Sequence, residues 1–197
     1  MKKIYVNWSD VERQTQEIIR QMYLDDFHPD YVVGITRGGL IPANLISQYL
    51  ETPMHTLKVS LRSDNDCESN CWMAEDAFGY VALDQAGLQD ATNQDRSFDR
   101  ALARKRILIV DDINDSGETI NWIRRDWQSS CLPNDPGWAD VWGGNVRIAV
   151  LYNNESSNNE IAVSYSAEQV NKFETPQWIV FPWEEWWRKW NPDEQHS

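Results

Sequence analysis

An apolar run, Arg106-Ile107-Leu108-Ile109-Val110, stops abruptly at two adjacent aspartates, Asp111 and Asp112, and a few residues later the chain turns into an amphipathic run reaching Trp127. Apolar character without alternation over so short a span describes a strand buried on both faces. The amphipathic run describes a helix, so the segment is one unit of strand, polar loop and helix. A chain built from such units is committed to a sheet whose strands are separated by helices.

The same alternation recurs elsewhere. Tyr31-Val32-Val33-Gly34-Ile35-Thr36 is a β-rich run between Pro29 and the glycines Gly38 and Gly39, and Leu40 to Leu50 follows as a helix with Pro42 tolerated in its first turn. Thr56 to Leu61 and Val146 to Tyr152 add further strands. In Trp8-Ser9-Asp10-Val11-Glu12 the spacing predicts a helix start, with Ser9 as cap, Glu12 completing a capping box, and the helix running to about Asp26. The expected fold is α/β, with a mostly parallel central sheet covered by helices on both faces and ligands bound beyond the carboxyl ends of the strands. The turns Thr36 to Gly39 and Asp111 to Thr119 both lie at such ends.

A length of 197 residues, 41% of them hydrophobic and 25% charged, suits one domain with a substantial core. No stretch approaches the roughly 18 uninterrupted apolar residues of a spanning helix, and the opening Met1 to Trp8 breaks off before a secretory apolar region forms. Three cysteines, Cys67, Cys71 and Cys131, do not suit a disulfide framework, so the expected compartment is the cytoplasm. The net charge of -13 disfavours nucleic acid and membrane as partners. It would repel a free polyphosphate too, so phosphate chemistry here needs locally placed amides, a few arginines or a metal ion. Most of the eleven tryptophans are expected in the core or at a subunit interface, leaving a few as stacking platforms for a flat ligand.

Two adjacent carboxylates at a strand end need solvent, a cation or hydroxyl groups to bind. Asp115 follows, then Ser116-Gly117-Glu118-Thr119 at a helix N-terminus, where backbone amides and the Ser116 and Thr119 hydroxyls make a cradle for a phosphate monoester. Carboxylates beside a phosphate cradle imply a substrate with both a phosphate and a polyol. The residues alone leave another option open: Asp111 and Asp112 could ligate a metal in some other strand-end site, with Asp115 merely capping the helix.

Val110-Asp111-Asp112-Ile113-Asn114-Asp115-Ser116-Gly117-Glu118-Thr119 closely resembles the signature by which type I phosphoribosyltransferases bind 5-phosphoribosyl diphosphate (PRPP). Thr36-Arg37-Gly38-Gly39-Leu40-Ile41-Pro42 looks like the pyrophosphate loop of bacterial xanthine-guanine phosphoribosyltransferases, and Gln177-Trp178-Ile179-Val180-Phe181-Pro182-Trp183 is similar to their purine segment. The resemblance implies a small hood subdomain, with residues 167–190 as its base-binding segment, and transfer of phosphoribose from PRPP to guanine, hypoxanthine or xanthine. It implies PRPP binding by Arg37, Gly38, Gly39, Asp111, Asp112, Asp115, Ser116, Gly117, Glu118 and Thr119. Asp111 and Asp112 would also hold Mg²⁺, Asp115 would relay a ring proton of the base, and Asn153, Trp178 and Ile179 would line the base site. A homo-oligomer, dimer or tetramer, is expected. A PRPP-sensing regulator on the same fold, or transfer to a non-purine acceptor, are the alternatives.

Departures from the family pattern bear on the base. Where the purine enzymes usually carry a lysine after the fourth of these strands, this chain reads Leu151-Tyr152-Asn153-Asn154; Asn153 can donate a hydrogen bond but brings no charge, which puts an anionic base such as xanthine at a disadvantage. Glu118 is harmless if it points outward and repels phosphate if it points inward. Residues 63–103 form an acidic insertion with nine acidic residues and two arginines, Arg96 and Arg100, expected to be a solvated excursion or a lid. No Cys/His set follows Cys67 and Cys71 to complete a zinc site, and nothing marks His28, His55 or His196 as a catalytic base. Trp183, Trp186, Trp187 and Trp190 have the spacing of a packed or oligomeric helix face.

Overall fold

The computed structural model describes residues 2–61, 67–80 and 102–184. Among the described residues, seven strands and five helices follow one another as β1 (Lys2–Tyr5), α1 (Trp8–Leu24), β2 (Tyr31–Thr36), α2 (Leu40–Leu50), β3 (Met54–Lys58), α3 (Cys71–Phe78), β4 (Ile107–Asn114), α4 (Glu118–Ser130), α5 (Trp138–Val141), β5 (Val146–Asn154), β6 (Tyr165–Val170) and β7 (Gln177–Val180). Five strands form one sheet in the order β3-β2-β4-β5-β6, every pair parallel. β1 and β7 pair in parallel as a separate ribbon.

The period of two along each strand sorts the core into two layers. Val33, Ile35, Ile107, Ile109, Ile148 and Val150 face one layer, filled by α3, α4 and α5 through Met73, Phe78, Ile123, Trp127 and Trp138. Their neighbours Val32, Leu108, Val110, Ala149 and Leu151 face the other, filled by α1 and α2 through Val11, Ile18, Met22, Ala43 and Ile46. Both faces are therefore covered, which is why the central strands read as unbroken apolar runs.

Several tryptophans meet the first layer. Trp127 is fully buried, its ring 5.7 Å from that of Trp142, which in turn stacks on Trp138 at 6.0 Å. Trp127→Ala removes a fully buried indole, and a loss of about 3–5 kcal/mol is expected. Urea unfolding should then show a lower midpoint with an unchanged slope.

Three local details differ from the sequence expectation. The first helix begins two residues earlier than Ser9 implies: Asn7 is the cap, accepting from the Asp10 amide at 2.9 Å while Asp10 accepts from the Asn7 amide at 3.1 Å. Asp10 stands three positions after Asn7, so these two form the reciprocal box expected of Ser9 and Glu12. β4 runs on to Asn114, two residues beyond Asp112, where the sequence places the end of the strand. Within residues 63–103, Cys71 to Phe78 is a helix with Met73, Ala74, Ala77 and Phe78 buried in the core, so this piece is packed. Residues 62–66 and 81–101, with Arg96 and Arg100, lie outside the described residues, as do Trp186, Trp187, Trp190 and His196. No described helix is long and apolar enough to cross a membrane.

Candidate active site

The strand order places the site. β2 connects through α2 to β3 on one side, whereas β4, β5 and β6 build outward on the other, so the winding reverses between β2 and β4. At such a switch point the segments leaving the two strands diverge above and below the sheet and open a crevice. The segments are Arg37 to Gly39 after β2 and the end of β4 with the loop to Thr119.

These segments touch closely. The Thr36–Arg37 peptide is cis, and the turn beyond it feeds α2, the Ala43 amide donating to the Gly39 carbonyl at 3.1 Å. A Cβ on Gly38 would overlap the Asp112 carboxylate, and one on Gly39 would overlap the Val110 carbonyl and crowd the Asp111 Cα at 2.9 Å. Only glycines let this turn lie against the aspartate pair. Arg37 is exposed beside it.

Burial pushes the Asp112 carboxyl above the usual carboxylate range, although nearby hydrogen-bond donors oppose the shift. The Trp183 indole N–H belongs to that surrounding: it favours ionised Asp112 but is buried without a partner in good hydrogen-bonding geometry. Asp111 Oδ1 accepts from the Asp112 amide at 2.9 Å. No three His, Cys, Asp or Glu side chains converge as a metal cage among the described residues. Asp111 and Asp112 nevertheless offer an all-oxygen pair, which suits Mg²⁺, an ion held by one or two carboxylates with water and substrate phosphate completing its shell. A buried carboxyl that resists ionisation would gain from such a cation.

The loop after β4 forms the second wall. Gly117 has φ of +88°, the left-handed region that glycine adopts without cost, and a Cβ there would crowd the Asn158 carbonyl carbon at 2.9 Å. The segment 158–160 braces the loop: the Asn158 amide donates to the Ser116 carbonyl at 3.0 Å, and Asn121 bonds both the Asn158 carbonyl and the Glu160 amide at 2.8 Å. α4 therefore presents its first-turn amides, which have no acceptor within the helix, from a fixed loop. Ser116 is exposed, Thr119 half-buried, and Glu118 is exposed at the helix start, where an acid also favours the helix dipole.

Beyond the loop, the Asp115 carboxylate pairs with Lys172 at 2.9 Å. Lys172 follows β6, and its ammonium also stands 6.0 Å from the centroid of the Trp178 ring, which is 40% exposed. Buried Asn154 links the two loops, its Nδ2 donating to the Asp115 carbonyl at 2.8 Å and its Oδ1 accepting from the Lys172 amide at 3.0 Å. The structure thus brings together Arg37, Gly38, Gly39, Asp111 and Asp112 at one end, and Asp115 and Trp178 at the other. Asn153 and Ile179 are placed differently. The Asn153 amide accepts from Asn114 at 2.7 Å and donates to Gln169 at 3.1 Å, while the Ile179 side chain is buried in the second core layer on a strand paired with β1. Lys172 was not anticipated from the sequence. The available signal was its isolation, for it is the one Lys or Arg between Arg147 and Arg188.

A doubly wound α/β protein with paired carboxylates and a helix N-terminal loop at its switch point has the groups with which a phosphorylated, hydroxyl-rich small molecule can be held. The chain belongs to the phosphoribosyl transferase domain family, whose family model matches residues 2–189. It is 26% identical over 128 residues to xanthine phosphoribosyltransferase 1 of Saccharomyces cerevisiae, covering 61% of this chain and spanning 58% of that protein's length. To the hypoxanthine-guanine phosphoribosyltransferase of Schizosaccharomyces pombe it is 25% identical over 203 residues, covering 92% of this chain and 89% of the relative. The crystal structure of a purine phosphoribosyltransferase from Pyrococcus horikoshii has the same fold, with a TM-score of 0.60 at 22% identity over 94% of this chain and 96% of the other.

Proposed function

We propose that this protein transfers the 5-phosphoribosyl group of PRPP to a 6-oxopurine, guanine, hypoxanthine or xanthine, and releases pyrophosphate. The observation that carries this reading is the contact of the Arg37–Gly39 turn with the Asp111–Asp112 pair, in line with the braced loop from Asp115 to Thr119. The purine enzymes among the relatives support it.

In this reading the amides and hydroxyls of Ser116 to Thr119 hold the 5′-phosphate. Asp111 and Asp112 orient the ribose hydroxyls and supply the protein's ligands for Mg²⁺. When bound, Mg²⁺ supplies charge neutralisation for the diphosphate. Arg37 and the amides of Gly38 and Gly39 hold the pyrophosphate oxygens. As the base nitrogen bonds to C1′, the C1′–oxygen bond breaks and its electron pair leaves on pyrophosphate, so stabilising that oxygen charge is the main task of the turn. Asp115 accepts the proton the base gives up. Trp178 provides the stacking face that fixes the base's angle of attack.

The test is a panel of bases. With PRPP and Mg²⁺, purified protein should convert hypoxanthine, guanine or xanthine to the nucleoside monophosphate, with pyrophosphate released in equal amount. Tight PRPP binding without product from any purine would overturn the reading.

A further inference from the structure

We infer that Trp183 is a positioning residue for Asp112, its indole N–H holding one carboxylate oxygen so that the other is turned to the ligand. The segment that leaves the β1–β7 ribbon thereby sets the orientation of an acid at the sugar end of the site. The inference rests on the reading above for the identity of that ligand, PRPP with Mg²⁺.

The fold fixes the Trp183 ring before any ligand is considered. β7 ends at Val180, whose carbonyl accepts from the Val6 amide at 2.9 Å. The chain then turns through Pro182 and Trp183, and the Glu184 amide closes the turn on the Phe181 carbonyl at 3.0 Å. Proline presets the backbone angle at the second position of such a turn. The Trp183 ring is thereby laid on that of Phe181, 4.8 Å between centroids and 6° between planes. Phe181 is itself buried, its ring T-shaped against Tyr152 of β5. Trp8, at the start of α1, leans on the Trp183 ring at 5.9 Å. With two aromatic neighbours and a proline turn behind it, the indole carries its N–H in a set direction.

Packing alone asks for a ring and not for a donor. A buried indole N–H as a rule finds an acceptor, because leaving it bare forfeits its hydrogen bond to water. Trp183 Nε1 is buried without an acceptor in good geometry, and the group it stands beside as a donor is the Asp112 carboxylate. That carboxylate is confined from other directions as well. Its main chain belongs to β4, paired on both sides. Its amide donates to Asp111 Oδ1 at 2.9 Å, and a Cβ on Gly38 would overlap its Oδ2. A short side chain so enclosed has few orientations, and the indole bond selects among them. A carboxylate has lone pairs enough to accept from the indole and still bind a hydroxyl or a metal ion. Three chain segments therefore meet at Asp112: the turn after β2, β4 itself, and the turn after β7. The last also carries Trp178, five residues earlier, so one short segment serves both halves of the site.

Trp183→Phe keeps a ring to stack on Phe181 and removes the donor. Titration calorimetry with PRPP and Mg²⁺ should show Kd raised by roughly 10- to 100-fold, the range for a hydrogen bond to a charged group, while KM for the best purine stays near the wild-type value. In an Asp112→Ala background the same substitution should cost little more, because the group it acts through is gone. A ring that merely fills space would cost the same factor in both backgrounds. That result overturns the inference, and so does a Trp183→Phe protein that binds PRPP as the wild type does. Should Trp183→Phe fail to fold, or Asp112→Ala bind PRPP too weakly to measure, ¹⁵N-tryptophan labelling of the wild type and Asp112→Ala decides. One indole proton signal must move upfield in the variant, as a proton that loses its acceptor does, and no such movement overturns the inference. Calorimetry reads binding without turnover. A wild type that binds PRPP yet makes no product from any purine therefore removes the transferase reading and leaves this test standing. Product formation with unchanged binding in Trp183→Phe removes the inference alone, and a wild type that does not bind PRPP removes both.

Discussion

Asp115→Asn should lower kcat with the best purine by about 10²–10⁴-fold, the range for loss of a positioned acid or base, while PRPP affinity stays within a few-fold of the wild type. Asparagine keeps the shape of the side chain and the main-chain bond from Asn154 to the Asp115 carbonyl. The substitution removes the charge proposed to take the base's proton and the ion-pair partner of Lys172. Single-turnover rates and PRPP binding by titration calorimetry separate the two effects. Parallel losses in both would place Asp115 in the phosphate cradle alone, and an unchanged kcat would remove it from the chemistry.

Gly38→Ala is expected to weaken PRPP binding by at least about a hundredfold, the scale on which a displacement of about 1 Å at a reacting centre is felt. The added methyl would fall on the Asp112 carboxylate. Asp112 is short, its main chain belongs to β4, and β4 is paired on both sides, so the strain is relieved by swinging the carboxylate away or by lifting the turn. Either movement separates the group proposed to hold pyrophosphate from the groups proposed to hold ribose and metal. Calorimetry with PRPP and Mg²⁺ measures the loss, and a near wild-type urea midpoint would show that it is local. Undiminished binding would mean that the turn and the pair do not share a ligand.

The parts of this architecture that could be read in the sequence are those whose signals are local. Ile107 to Val110 is apolar at every position because both faces of its strand are covered, and the switch from that pattern to Glu118 and the amphipathic helix marks a loop without any knowledge of the rest. Leu40 to Leu50 was equally plain, with glycines before it and Pro42 in its first turn. β6 carries no such mark: Tyr165-Ser-Ala-Glu-Gln-Val170 is an edge strand with one buried end, and its partners along β5 are fixed only by tertiary pairing. α3 was hidden by its small buried residues, Ala74 and Ala77. Trp178 stood out as an aromatic in a segment of known kind, but the position of Lys172 against Asp115 depends on two loops being tied by Asn154, a residue whose importance lies in what it joins. Asn153 and Asn154 are indistinguishable on paper. Opposite sides of β5 separate them, one joined to Asn114 and Gln169, the other to Asp115 and Lys172.

The pairing of β1 with β7 bears on how the protein is made. Gln177 to Val180, the strand that carries Trp178, takes its sheet partner from Lys2 to Tyr5, which are synthesised before every strand of the main sheet. By the time Glu160 has emerged, every strand-end group assigned to the sugar phosphate and the segment bracing its loop are available for assembly, whereas β1 must wait for about twenty more residues before it finds β7. The sugar half is thus complete in the nascent chain before the base half exists. A ligand of the first could stabilise a chain that is not yet able to use the second.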